Sequence, residues 1–315
     1  MAVRAVLHPL GVTGLEAELE RMSDIELIRA ADNDEVASAL SAGASILLTY
    51  TWQERFLTPS LRWVQGVGAG FEQYPLDRLD KESVTLTTAT GVHAVVAEAA
   101  FGLLLALTRC IAAAVRDARE RKWVVREGPE IAGSTIAIIG LGTIGDAFAR
   151  RAQGWEVELI GYKRDPDAYS GIVERVYGPG SLLEVCAMAD ILVLTLPGSA
   201  ETKHLIGAAE LRALGAGRLI NVSRGSVVDE QALITALTEG ELLGAGLDVF
   251  EVEPLPDDSP LWDMPKVVMT PHTAGGTPRY GERLAKIFRQ NLQAFRGEDV
   301  PWVNRVVNGV RRDES

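Results

Sequence analysis

Gly140-Leu141-Gly142-Thr143-Ile144-Gly145 places glycines at the spacing G-x-G-x-x-G between the apolar run 136–139 and a helical pattern opened by Ala147, Phe148 and Ala149. The spacing alone recurs in many turns, and the flanking strand and helix patterns give it meaning. The first glycine permits a tight turn, the second lets backbone approach a pyrophosphate, and the third lets helix pack on strand. The helix N-terminus then presents unpaired N–H groups to the phosphates. Gly140, Gly142, Thr143, Ile144 and Gly145 are therefore the candidate cradle of a dinucleotide. The next apolar run, 157–162, ends in Lys163-Arg164. An acidic side chain at that strand end serves the ribose 2′-OH of NAD, whereas a lysine and an arginine attract a 2′-phosphate and donate hydrogen bonds to it. The pair favours NADP(H) over NAD(H). The alternative is that both are solvated loop charges, with Asp165 making the ribose contact.

Three later segments put reactive side chains just beyond buried runs, where open α/β sheets bind ligands. They are Asn221-Val222-Ser223-Arg224-Gly225-Ser226-Val227-Val228-Asp229, Leu247-Asp248-Val249-Phe250-Glu251-Val252-Glu253-Pro254 and Thr270-Pro271-His272-Thr273-Ala274-Gly275-Gly276-Thr277. A guanidinium fork can engage a carboxylate and polarise a carbonyl. A histidine, with an ordinary pKa of about 6.5, can give or take a proton near neutrality. Each residue also has a bland reading. Arg224 could pair with Asp229 on the surface, Glu253 could be an exposed loop charge, and His272 a structural hydrogen-bonding residue. Three complementary groups on successive strand ends point instead to acid–base chemistry at a carbonyl.

The elements that must position these groups are legible from periodicity. Residues 4–8, 46–50 and 61–65 read as strands with a helix at 35–40 between them, a small α/β domain with a parallel sheet. A long helix is expected from 92 to about 123. Strands recur near 157–162, 191–196, 219–222, 243–248 and 267–270, with helical patterns such as 230–237 between them, as in a doubly wound sheet. Residues 279–295 form an amphipathic pattern with Leu284, Ile287, Phe288 and Leu292 on one face. The polar last fifteen or so residues are expected to return to the surface of the first domain.

At 315 residues and 47% hydrophobic, the chain can fill two cores. Its net charge of −12 opposes nucleic-acid binding, which needs a basic footprint. The two cysteines, Cys110 and Cys186, have no metal-ligand spacing, so no metal and no disulfide are expected. The longest apolar tract, 92–115, carries His93, Glu98 and Arg109 and reads as a buried helix rather than a membrane span. Residues 1–7 are too short an apolar run for a signal peptide. A soluble, cytoplasmic protein without a membrane partner is the expectation.

Together these segments resemble the D-isomer-specific 2-hydroxyacid dehydrogenases of the glyoxylate/hydroxypyruvate reductase-like, NADP type. The resemblance also covers Gly66-Val67-Gly68-Ala69-Gly70-Phe71, Val96-Ala97-Glu98 and Ser259-Pro260-Leu261-Trp262. It implies an α/β fold of two domains. A Rossmann-type doubly wound parallel sheet would occupy residues 97–282, and a flavodoxin-like substrate domain 1–96 and 283–315. It makes Arg224 the substrate-binding arginine, Glu253 the acid partner and His272 the catalytic acid/base. Ala69 and Gly70 become the backbone donors to the substrate carboxylate. Thr195, Leu196, Pro197, Thr202, Val222 and Ser223 would line the cofactor, and Asp248 would lie beside the nicotinamide, with a loop-capping carboxylate as its alternative. Tyr50 and Trp52 would line a side-chain pocket or pack in the core, and His93 stays outside the site.

The activity so implied is NADPH-dependent reduction of a 2-oxo acid to the D-2-hydroxy acid, in a homodimer built on the 92–123 helix. Lys163 departs from the aspartate of many NAD-dependent members, and Glu253 from the glutamine of formate dehydrogenases. Two other readings stay open. One is a dehydrogenase of 3-phosphoglycerate or phosphite, although the 66–70 loop offers no extra cation for a phosphate. The other is a dinucleotide-sensing, corepressor-like binding protein.

Overall fold

The structure, a computed structural model, describes residues 2–9, 12–307 and 310–312. The chain forms two units, Met1–His93 with Gly276–Ser315, and Ala94–Gly275.

In the first unit, strands β1 (Val3–Leu7), β2 (Ile25–Arg29), β3 (Ile46–Thr49), β4 (Trp63–Gly66) and β5 (Thr85–Thr87) pair in parallel in the order β5-β4-β3-β1-β2. This is the flavodoxin-like order. Strand β3 is buried along its whole length, apolar at Ile46, Leu47 and Leu48 and polar at Thr49, where it ends. Helix Asn33–Ser41 starts where sequence alone can start it. Asp32 accepts the N–H groups of Asp34 and Glu35, and the Glu35 carboxylate reaches back to the N–H of Ala31. Beyond β5, Arg305–Val307 pairs antiparallel with β5, and Val310–Arg312 antiparallel with Arg305–Val307. The chain end thus returns to the first unit as two strands on its sheet edge. Residues 308–309 and 313–315 of that tail lie outside the described residues.

Helix Tyr280–Phe295 buries Leu284, Phe288 and Leu292, and Phe288 stacks on Trp63 with ring centroids 4.8 Å apart. A Cβ at Gly281 would lie 2.1 Å from the backbone nitrogen of Leu15, so only glycine allows this approach. The whole helix belongs to the first unit, and the chain crosses between units before it, at Gly275–Gly276.

The second unit holds β6 (Thr135–Ile139), β7 (Glu158–Tyr162), β8 (Arg175–Tyr177), β9 (Ile191–Leu194), β10 (Arg218–Asn221), β11 (Gly244–Leu247) and β12 (Val267–Met269). All pairings are parallel, in the order β12-β11-β10-β9-β6-β7-β8. The order reverses between β6 and β9, and the carboxyl ends of those strands form the crevice of a doubly wound sheet.

The expected helix over 92–123 is corrected. A 3-10 turn, Val92–Val95, leads into helix Val96–Thr108, and a second helix, Ile111–Arg119, leaves it at 68°. Cys110 sits between them in the left-handed region, φ 55°. The Thr108 carbonyl lies so close to Gly128 that a Cβ there would be 2.0 Å from it, and Arg109 donates to the carbonyls of Gly128 and Pro129. A crossing chain segment therefore ends the helix. The first helix is buried, whereas Ile111–Arg119 buries no residue. Among the described residues no single helix is long and apolar enough to cross a membrane.

Removing the Phe288 ring leaves Trp63 facing a cavity. Phe288→Ala should cost about 3–5 kcal/mol of stability, read as a lower urea midpoint. An unchanged midpoint would show that the helix Tyr280–Phe295 does not hold this core.

Candidate active site

The glycine turn has the shape its spacing predicts. Gly140 adopts φ 106°, and a Cβ there would lie 2.7 Å from the backbone nitrogen of Leu196. A Cβ at Gly145 would lie 2.3 Å from the carbonyl oxygen of Gly140, so the third glycine does bring helix onto strand end. At Gly142 a Cβ would meet nothing within 4 Å, which leaves that face open to a ligand. Helix Thr143–Ala152 comes next with no side-chain cap, and among the described residues none accepts from the N–H of Thr143, Ile144 or Gly145. An uncapped helix end behind an open glycine is a cradle for an anionic group. These residues fit a dinucleotide pyrophosphate.

Lys163, half-buried at the end of β7, donates from Nζ to the Leu141 carbonyl within the turn at 3.1 Å, with its ammonium 6.0 Å from the Tyr169 ring centroid. The Tyr169 hydroxyl donates to Asp146 at 2.7 Å, and burial together with that carboxylate raises the phenol above its ordinary pKa. Arg164 is exposed and pairs with Glu201 at 3.7 Å. Asp165 accepts the N–H of Ala168 and so caps its own turn. On the opposite strand, Thr195 donates to the Gly140 carbonyl at 2.6 Å, tying the end of β9 to the turn. Thr202 closes the adjoining loop by donating to the Pro197 carbonyl and accepting from the N–H of Ser199. Leu196 is buried and Pro197 exposed.

At the end of β10, Val222 and Ser223 are buried. The buried Asn221 organises the loop that leaves this strand. Its Oδ1 accepts the N–H and hydroxyl of Ser223, and its Nδ2 donates to the Arg224 carbonyl at 3.1 Å. The Arg224 guanidinium donates to the Ser223 carbonyl. Among the described residues no carboxylate pairs with it, because Asp229 instead caps helix Glu230–Glu239 by accepting from Ala232.

Glu253 is not a free loop charge. Its Oε1 accepts the N–H of Phe250 at 3.0 Å and its Oε2 meets His272 Nδ1 at 2.7 Å. A carboxylate only accepts, so Nδ1 carries a proton and Nε2 is the nitrogen left for other chemistry. Asp248 lies behind this pair, 2% exposed. Its carboxylate accepts from the Thr270 hydroxyl at 2.5 Å and from the N–H groups of Thr273 and Ala274 at 2.9 Å each, while its carbonyl accepts from His272 N at 2.7 Å. These bonds hold His272 at φ 51°. Asp248 thus performs the loop-capping role that sequence left as an alternative. A cavity of ≈ 650 Å³ has Glu253 and His272 in its wall with Phe250, Trp262 and Met269.

In the first unit, the loop after β4 carries Ala69 and Gly70. The N–H groups of Gly68, Ala69 and Gly70 find no acceptor among the described residues, so three consecutive backbone donors stand ready for an anion. Tyr50 lies against this loop: a Cβ at Gly68 would be 2.8 Å from its ring. Trp52 packs edge-on against Phe56 and Tyr74. A cavity of ≈ 780 Å³ in this unit, with Leu7, His8, Val12, Leu15 and Arg29 in its wall, includes none of the loop residues.

Sequence reasoning placed Thr195 in the loop against the cofactor without its tie to the glycine turn, and missed Asn221 and Thr270 as groups that orient the site. Polar residues at the ends of buried strands were the available signal.

Residues 101–274 match the family model of the D-isomer specific 2-hydroxyacid dehydrogenase, NAD binding domain. The chain is 37% identical over 267 residues to a glyoxylate reductase of Korarchaeum cryptofilum, covering 80% of this chain and 79% of that protein. It is 36% identical over 246 residues to glyoxylate/hydroxypyruvate reductase B of Escherichia fergusonii, covering 75% of each. Among solved structures, it resembles an NADPH-dependent glyoxylate/hydroxypyruvate reductase of Sinorhizobium meliloti in complex with NADP and malonate. That likeness has TM-score 0.83 at 30% identity and covers 100% of both chains.

Asp248→Ala strips the acceptors from Thr273 and Ala274. Amide exchange at those two residues should accelerate by at least about tenfold, as loss of a charged buried acceptor implies, and unchanged exchange would show that the loop stands without Asp248.

Proposed function

Because this chain belongs to the D-isomer specific 2-hydroxyacid dehydrogenases, a family of oxidoreductases, we propose that it reduces a short 2-oxo acid to the D-2-hydroxy acid with NADPH. The observation that carries the reading is the His272–Glu253 pair, which holds the imidazole by Nδ1 and leaves Nε2 to act. Glyoxylate and hydroxypyruvate reductases among the relatives support the substrate class. Lys163 at the glycine turn and the NADPH-dependent relative support the cofactor.

The chain's own residues divide the work between them. The turn 140–145 and the first N–H groups of the helix behind it hold the pyrophosphate, and Lys163 holds the 2′-phosphate. When bound, the reduced nicotinamide supplies a hydride to the carbonyl carbon. Arg224 engages the substrate carboxylate and carbonyl, stabilising charge that gathers on the oxygen. The imidazolium of His272 gives its Nε2 proton to that oxygen, and Glu253 steadies the ring and its charge. The backbone donors of Ala69 and Gly70 are assigned to the substrate carboxylate. In oxidation the neutral imidazole takes the proton back.

Initial rates with a panel of 2-oxo acids, NADPH against NADH, test the reading. His272→Asn should lower kcat by about 10²–10⁴-fold. Lys163→Ala should raise KM for NADPH by about tenfold while sparing NADH, the scale of one lost charge-assisted hydrogen bond. A wild-type preference for NADH overturns the cofactor assignment, and no turnover with either cofactor overturns the reductase.

Exposed apolar residues support a homodimer through this segment: Trp123 is 96% and Val125 84% exposed, and Ile111 and Val115 project from a helix that buries nothing. Sedimentation should give twice the chain mass, with Trp123→Glu shifting it toward the monomer. A monomeric wild type sinks the idea.

A further inference from the structure

We propose that Tyr280, backed by His93, is a positioning residue for the anion-binding loop after β4, and that it sets the affinity for the substrate carboxylate. The inference rests on the reductase reading and extends it to residues that no motif covers.

Three distant stretches of the first unit meet at one carbonyl. The Tyr280 hydroxyl donates to the Val67 carbonyl at 2.5 Å and lies 3.0 Å from His93 Nε2. A carbonyl only accepts, so the single hydroxyl proton of Tyr280 is committed to Val67. His93 must then donate from Nε2 to the tyrosine oxygen, which fixes its tautomer. The result is a directed chain from His93 N–H to Tyr280 O–H to Val67 C=O, in which each bond strengthens the next.

Val67 C=O and Gly68 N–H belong to one peptide plane, and in a trans peptide they point in opposite directions. Holding the carbonyl on Tyr280 therefore fixes the Gly68 N–H on the other side, and polarising the carbonyl makes that N–H a better donor. The neighbouring bonds lock the rest of the loop: Val67 N donates to the Thr49 carbonyl at 3.1 Å, and the Gly68 carbonyl accepts from Ala89 N at 2.9 Å. Among the described residues, the N–H groups of Gly68, Ala69 and Gly70 are the ones left without an acceptor in this loop. Burial first, and then neighbouring Tyr50, push the Tyr280 phenol well above its ordinary pKa, so it stays a donor throughout the working range. Tyr280 opens the helix beyond the second crossing and His93 ends the segment before the first, with Arg283 donating to the Val92 carbonyl at 3.2 Å beside them.

Tyr280→Phe keeps the ring and removes only the hydroxyl. The test measures KM and kcat for glyoxylate, the inhibition constant of oxamate as an unreactive mimic, and the dissociation constant of NADPH. KM and the oxamate constant should rise together by about tenfold, the equivalent of one buried hydrogen bond, while kcat stays within about twofold and NADPH affinity is unchanged. His93→Gln, which keeps an N–H donor, should be milder than His93→Leu. Unchanged KM and oxamate binding overturn the proposal. So does a joint fall of kcat, NADPH affinity and melting temperature, which marks a merely structural role. Should the wild type turn over no 2-oxo acid, the reductase reading fails by itself and oxamate titration of both proteins still decides. Weaker binding to Tyr280→Phe supports the proposal, and equal or absent binding overturns it.

Discussion

A carboxylate at the buried end of a strand must be given donors, and Asp248 obtains its donors by folding the adjoining loop around itself. The alternative, an unpaired charge 2% exposed, would cost several kcal/mol. Thr270, Thr273 and Ala274 all turn toward it, and His272, caught between them, is forced into a left-handed backbone conformation that non-glycine residues seldom adopt. In that conformation the loop brings the imidazole to Glu253. His272 is thus placed by a neighbouring residue whose carboxylate is wholly engaged in holding the loop.

The same device recurs one strand away. Asn221 commits both ends of its amide to Ser223 and Arg224, so the backbone beneath the guanidinium is set before any ligand arrives. Gly225 then allows the strand ends to touch, since a Cβ there would lie 1.8 Å from the carbonyl carbon of Phe250. Phe250 in turn gives its N–H to Glu253. Arginine, glutamate and histidine sit on three successive strand ends, yet their backbones are joined by buried amide, carboxylate and glycine contacts. Preorganisation of this kind is what electrostatic catalysis requires, because donors that need not reorient lose nothing when charge develops.

How much of this was legible in the sequence depended on range. The glycine turn, the apolar strands β3, β6 and β9 and the strand-end residues are local patterns, and periodicity exposes them. The short strands β2, β5 and β8 escaped because three to five residues without strong alternation resemble loops. The break at Cys110 escaped for another reason. Apolar periodicity runs on through it, with no glycine or proline there, and the turn is imposed by Gly128 packing onto the Thr108 carbonyl. Tyr280 and His93 are 187 residues apart, and no spacing rule links them. Asp248 was found, but its loop-capping bonds, which join residues 22 to 26 positions apart, follow no spacing rule.

The two cations after β7 carry the same charge but are not equivalent. Arg164 is 75% exposed, and its partner Glu201 is equally so, at 3.7 Å, a pair that solvent screens. Lys163 is half-buried and donates a hydrogen bond to a backbone carbonyl inside the glycine turn. A phosphate that approached the turn would draw Lys163 from a neutral acceptor, the Leu141 carbonyl. To engage Arg164 it would have to compete with a carboxylate. A charged acceptor gains more from an ammonium than a carbonyl does, so the exchange at Lys163 runs downhill while that at Arg164 is nearly level. Discrimination between the two cofactors should therefore rest on Lys163, with Arg164 adding field rather than contact.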